Sequence, residues 1–156
     1  MKRYVPLFWL AGRIFLGGVF AYSGFSKLME PAENFRGIIA QYEVIPYVFL
    51  PVIAAVFPWL EFLLGSFLIL GYAPRWSALA LSFFSLIFLI VLGSSKLLLG
   101  AMPVSCGCFG EGGIHLTVRQ VFLLDLFDLV LGFGLFRAKD HVFSFDYLLK
   151  TKGVVS

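Results

Sequence analysis

Two cysteines separated by a single glycine are the residues of this chain best suited to covalent chemistry. They are Cys106 and Cys108, and the 156 residues contain no other cysteine. Two Cα atoms two residues apart lie at most about 7 Å from each other in an extended chain, and a disulfide requires roughly 4.4 to 6.8 Å. The pair can therefore close a small, strained ring, and strained disulfides are more readily reduced than relaxed ones. This spacing favours thiol–disulfide exchange.

The same cysteines permit two other interpretations. They can be unreactive thiols or a permanent bridge, although a bridge that encloses one residue restricts the unfolded chain little. They can also combine with His115 to offer three ligands to a metal ion. Zinc sites usually have four ligands and wider cysteine spacings, so we expect no metal.

Four ionisable residues interrupt long apolar stretches and form a second candidate site. They are Arg13, Glu61, Asp125 and Asp128, and the three-residue separation places the two aspartates on one helix face. A charge within a membrane is costly unless it is paired or faces a wet interior. We therefore expect an ion pair between Arg13 and an acid such as Glu61 or Asp128, with snorkelling of Arg13 to the interface as the alternative. The three acids are candidates for a quinone or proton site, or are structural.

The composition requires that these residues be carried by membrane-embedded elements. The chain is 60% hydrophobic and 13% charged, whereas about a quarter of the residues of an ordinary soluble domain are charged. Its mean hydropathy is +0.95. These values exclude a water-soluble globule, and the net charge of +3 is interpreted as a membrane topology signal, not as a nucleic-acid surface.

Four stretches are long enough for the roughly 20 apolar residues of a membrane crossing. They lie at about 7–25, 47–71, 76–99 and 116–136. All four must be helices, because unpaired backbone groups are costly in hydrocarbon and four strands cannot close a barrel. Gly17 and Ala21 form a small-x-x-x-small pair that allows close helix approach. The sequence predicts an all-α integral membrane four-helix bundle, in one domain over 1–156.

A short amphipathic helix is predicted between the first and second spans. Phe35, Ile38, Ile39 and Tyr42 recur at helical spacing between polar residues of the segment 31–43. Such a helix lies in the membrane interface, where it is either a connector or a lid.

Basic residues predict the orientation, because they are densest on the cytoplasmic side. Seven basic residues lie on the side of the termini, namely Lys2, Arg3, Arg75, Arg137, Lys139, Lys150 and Lys152. Four lie on the other side, namely Lys27, Arg36, Lys96 and Arg119. Both termini should therefore face the cytoplasm of a bacterial inner membrane, and the cysteines should face the periplasm. In the cytoplasm, glutathione would keep the cysteines reduced.

Several of these residues together resemble the MauE/DoxX family of redox-associated membrane proteins. The resemblance extends from Arg13 to Asp128, and the stretch Cys106-Gly107-Cys108-Phe109-Gly110 is similar to the MauE branch. The other matching stretches are Arg13-Ile14-Phe15-Leu16-Gly17, Ser23-Gly24-Phe25-Ser26-Lys27-Leu28 with Pro31 and Phe35, Tyr42, and Pro51, Pro58, Glu61 and Gly65.

The resemblance implies a role in methylamine utilisation, in maturation of the disulfide-rich small subunit of methylamine dehydrogenase, beside a periplasmic thioredoxin-like partner. DoxX relatives imply a membrane subunit linked to quinone reduction.

We expect Cys106 and Cys108 to exchange with a periplasmic thioredoxin-like or disulfide-containing protein. Cys108 is ranked first as the attacking thiol because it is nearer the fourth helix N-terminus. Lys27, Lys96 and Arg119 are basic groups expected to favour a thiolate. The rival hypothesis is a non-enzymatic scaffold that docks a thioredoxin-like protein.

Overall fold

A computed structural model of the chain describes residues 5–41, 45–99 and 117–137. These ranges contain helices and no strand, which confirms the all-α prediction for this part of the chain. The five helices are α1 (Val5–Leu28), α2 (Ala32–Ala40), α3 (Leu50–Leu70), α4 (Pro74–Leu99) and α5 (Val118–Arg137).

Three of the described helices are long and apolar enough to cross a membrane. The qualifying segments are Leu7–Leu28, Leu50–Leu70 and Pro74–Ser94, and they coincide with the first three predicted spans. The fourth predicted span coincides with α5, which has 20 residues. It does not qualify, since Arg119, Asp125 and Asp128 interrupt its apolar sequence.

The turn between α3 and α4 shows how the sequence reverses the chain. Gly71 ends α3 in the left-handed conformation, with φ of 75°, which glycine adopts without a Cβ clash. The Tyr72 amide donates to the Phe67 carbonyl at 2.9 Å and satisfies a helix-end acceptor. Pro74 then begins α4 at a position where its missing N–H costs no hydrogen bond. The two helices are therefore antiparallel neighbours.

The four long helices pack around a shared apolar core. Its buried members come from every one of these helices: Leu16 and Phe20, Leu68, Ala78 and Leu81, and Leu131 and Leu135. Many large apolar side chains point outwards instead, including Val56, Phe83 and Val130. This arrangement suits a hydrocarbon solvent and would be unstable in water.

The backbones of α1 and α3 are in direct contact at glycine positions. A Cβ atom added to Gly65 would lie 2.5 Å from the Ala21 amide nitrogen, and one added to Gly24 would lie 2.5 Å from the Phe62 nitrogen. Gly17 meets the carbonyl oxygen of Gly65 in the same way. The small residues predicted to allow close approach therefore do so, and α3 is the partner helix.

Helix α2 lies against α3 through one apolar face. Phe35 and Ile39 pack with Leu50 and Ala54 of α3, while Glu33 on the opposite face is exposed. A helix is thus present within the predicted segment 31–43, and Tyr42 of the predicted pattern lies outside the described residues.

The contact between α1 and α3 predicts opposite effects of two identical substitutions. Gly65→Ala should lower the free energy of unfolding by about 1–3 kcal/mol, because the new methyl group overlaps the α1 backbone. Gly93→Ala is the matched control on α4, where nothing lies within 4 Å of the added Cβ; it should change stability by no more than about 1 kcal/mol, in the stabilising direction. Thermal unfolding in detergent micelles, followed by circular dichroism, measures both. Equal effects of the two variants would contradict this packing.

Candidate functional site

The predicted cysteine site lies outside the described residues. Cys106, Cys108 and His115 all belong to the segment 100–116 that connects α4 to α5. The two helices that flank this segment are described, α4 as far as Leu99 and α5 from Val118.

Helix directions show which ends lie together. Gly24 of α1 meets Phe62 of α3, and Gly17 meets Gly65, so these helices run antiparallel. Antiparallel packing also relates α1 to α5, since the Phe15 and Phe127 rings are 5.8 Å apart and Leu131 lies against Gly12. Consequently α1 and α4 end, and α3 and α5 begin, at one end of the molecule. We call it the Lys27 end.

A buried ion pair lies near this end, between α1 and α3. The Lys27 Nζ atom is 2.7 Å from Oε2 of Glu61, and the two side chains are 0% and 2% exposed. Lys27 also donates to the Ser23 hydroxyl at 3.1 Å, and that hydroxyl donates to the same Glu61 oxygen at 3.3 Å. The three side chains form a closed hydrogen-bonded triangle that replaces water around both charges.

Aromatic rings surround the ammonium group of Lys27. The centroids of Phe35, Phe57 and Phe88 lie 4.9, 5.8 and 5.6 Å from Nζ. Each distance is within the range of a cation–π interaction, and the three rings belong to α2, α3 and α4. Lys27 therefore links its own helix to three others.

The cation that contacts Glu61 is Lys27. Arg13 lies fourteen residues before Lys27 on α1, which corresponds to about 21 Å along a helix axis. Glu61 is thus held by a cation that lies far along α1 from Arg13. Lys27 was interpreted as a boundary charge able to favour a thiolate, whereas its side chain is fully buried. The i, i+4 spacing of Ser23 and Lys27 places both on one face of α1.

Arg13 and Asp128 are both buried, with exposures of 4% and 1%. The contacts of Gly12 with Leu131 and of Phe15 with Phe127 place them at the same level. Their pairing stays a prediction.

The three predicted acidic residues converge on one small cavity. Glu61 of α3 and Asp125 and Asp128 of α5 line a space of about 20 Å³, together with Ser23. This volume accommodates a water molecule but not a quinone ring. A quinone or proton role of Glu61, Asp125 and Asp128 stays a prediction.

A larger cavity of about 290 Å³ lies between α2, α3 and α4. Its lining consists of apolar side chains, among them Ile38, Phe57 and Phe88. Ligand sites normally contain a few polar groups that orient a headgroup. None of the described residues that line the cavity supplies such a group, so this lining suits a hydrocarbon chain.

Comparison with known proteins shows the family to which this chain belongs. The family model described as "Methylamine utilisation protein MauE" matches residues 5–137. The chain belongs to the MauE family. The matched region spans every described helix and both cysteines. With three apolar helices long enough to cross a bilayer, this MauE-family chain is a membrane protein.

A curated relative supports the same assignment. The "Methylamine utilization protein MauE" of Paracoccus denitrificans is 32% identical over 126 residues, which are 81% of this chain and 65% of that protein. The chain thus spans slightly less than two thirds of the relative's length. No solved structure matches the chain.

The buried pair predicts a strong asymmetry between single and double substitutions. Lys27→Met should destabilise the protein by about 3–5 kcal/mol, because it leaves the Glu61 carboxylate buried without its cation. Adding Glu61→Leu should recover most of this loss, since an apolar pair needs no compensation. Arg36→Met, which removes an exposed cation from α2, should change stability by no more than about 0.5 kcal/mol. Denaturant unfolding in micelles tests the set, and a similar loss for Lys27→Met and Arg36→Met would contradict the structure.

Proposed function

We propose that this MauE-family protein is a membrane thiol–disulfide redox protein that supports disulfide formation in a periplasmic partner. The observation that carries the proposal is the position of the Cys-Gly-Cys sequence. It lies in the connection between α4 and α5, both of which meet that connection at the Lys27 end. Cys106 and Cys108 would thus be presented together at one face of a helical platform.

The exchange requires no cofactor in its first step. A thiolate of the partner attacks one sulfur of the Cys106–Cys108 disulfide and forms a mixed disulfide. The partner's second thiolate then displaces this sulfur, so that the partner gains a disulfide. Two protons and two electrons leave the partner's thiols and reduce Cys106 and Cys108 to a dithiol. The same steps in reverse reduce a partner disulfide.

The proposed placement is a four-helix bundle in the bacterial inner membrane, with α5 as the fourth span and both termini in the cytoplasm. The pattern of α5 supports this role. Asp125 and Asp128 are buried, while Leu123, Phe127 and Val130 are 59%, 53% and 67% exposed. An inward acidic face and an outward apolar face suit a helix whose other surface meets lipid. In this arrangement α2 lies in the interface on the periplasmic side.

The proposed partner is a thioredoxin-like or disulfide-containing periplasmic protein. The relative from Paracoccus denitrificans is named for methylamine utilisation, so a methylamine dehydrogenase subunit is the first substrate to test. The whole chain, 1–156, would act as one domain.

Single-cysteine variants should trap the exchange intermediate. One of the variants Cys106→Ser and Cys108→Ser should accumulate a mixed disulfide with the partner, because in the reverse direction the remaining thiolate attacks a partner disulfide and the second cysteine that would release the reduced partner is absent. Non-reducing electrophoresis and mass spectrometry identify the attached protein, and Ser94→Ala, a change on α4 that leaves both cysteines in place, serves as the control. If neither cysteine variant forms a complex and the partner still acquires its disulfides, the protein is a scaffold and the exchange chemistry is wrong.

A further inference from the structure

The cavity lined by Glu61 and Asp128 contains an unsatisfied acidic group. Asp128 is 1% exposed, and its Oδ1 atom makes no hydrogen bond to any described residue. A buried acceptor without a partner is costly by about 1–3 kcal/mol, and such groups normally bind ordered water. The cavity is therefore expected to contain a hydrogen-bond donor.

The size and lining of the cavity identify that donor. A volume of about 20 Å³ exceeds the roughly 10–15 Å³ that one water molecule needs. A buried water typically makes two to four hydrogen bonds, and Ser23, Glu61, Asp125 and Asp128 offer polar atoms on different sides. One water molecule fits both the space and the partners.

We propose that this water and the groups around it form a proton relay through the protein interior, from Lys27 through Glu61 to Asp128. The Lys27 ammonium first transfers a proton to Oε2 of Glu61, 2.7 Å away; an N–H bond breaks and an O–H bond forms. Glu61 then gives its proton to the water while the water gives one of its own to Asp128. One proton moves from Lys27 to Asp128, the water is regenerated, and no electron is transferred.

The charges around the relay come from three helices. Lys27 and Arg13 belong to α1, Glu61 to α3, and Asp125 and Asp128 to α5, and all five residues are buried. The net charge of Lys27, Glu61 and Asp128 is the same before and after transfer. The step thus adds no net charge to a region where charge is costly.

A second unsatisfied group lies at the level of Asp128 on α4. Ser85 is 0% exposed, and its hydroxyl makes no hydrogen bond to any described residue. Ser85 lies one turn after Ser82, and the Ser82 side chain contacts Gly132 of α5. Gly132 lies one turn after Asp128. Because α4 and α5 are antiparallel, Ser85 and Asp128 are at the same level. The hydroxyl is a suitable next hydrogen-bonding group for a proton that has reached Asp128.

The relay is independent of the cysteine chemistry proposed above, so each can fail alone. The full chain, reconstituted in phospholipid vesicles, is studied by infrared spectroscopy over a pH series, with a rapid change from H₂O to D₂O buffer. A protonated carboxyl group gives a carbonyl band that shifts when its proton is exchanged. Asp128→Asn should remove one such band and thereby assign it.

Two further variants test whether Glu61 delivers the proton. Glu61→Gln should slow exchange of the Asp128 proton at least tenfold, because an amide does not relay a proton. Lys27→Met with Glu61→Leu should slow it equally and controls for an unpaired buried charge. Glu33→Gln, an exposed change on α2, should leave the rate unchanged. The proposal is overturned if Asp128→Asn removes no band at any pH, or if the exchange rate is the same without Glu61.

Discussion

The contact between Lys27 and Glu61 is the interaction on which the arrangement of the helices depends. Moving a carboxylate and an ammonium group out of water costs several kcal/mol for each ion, so the pair is tolerated only where other groups replace the lost hydration. Here the Ser23 hydroxyl and the aromatic rings around Nζ supply this replacement. Because those rings come from three other helices, α1 cannot rotate or slide without leaving a charge unpaired. We expect the pair to contribute specificity more than net stability.

Close backbone contact is the condition that makes this pair possible. Gly24 follows Ser23 directly and precedes Lys27 by three residues. It contacts the α3 backbone at Pro58 and Phe62, which are within one helical turn of Glu61. A larger residue there would separate the helices and lengthen the 2.7 Å contact between Lys27 and Glu61.

The same packing separates two interior regions that differ in polarity. Acidic side chains line the small cavity on the α5 side, and apolar side chains line the large one beneath α2.

Hydropathy and spacing predict the described helices well, because the membrane solvent restricts the backbone to few structures. The short helix α2 follows equally from its periodicity. The partner of Glu61 does not, because Lys27 lies near the end of an apolar stretch, where a lysine normally extends to the interface. The contacts with Glu61 and Ser23 identify its partners. The size of the space between Glu61 and Asp128 is likewise a property of packing, which one-dimensional patterns do not contain.

The central functional claim is that the helices present Cys106 and Cys108 to an oxidising aqueous compartment at the Lys27 end. Labelling with a membrane-impermeant maleimide in intact cells, after mild reduction, tests it most directly. The matched control is Tyr72→Cys in a Cys106→Ser, Cys108→Ser background, since Tyr72 is exposed in the turn at the opposite end. The account predicts that the native cysteines are labelled in intact cells and that Tyr72→Cys is labelled only after lysis. Labelling of Tyr72→Cys in intact cells with protection of the native pair would contradict it.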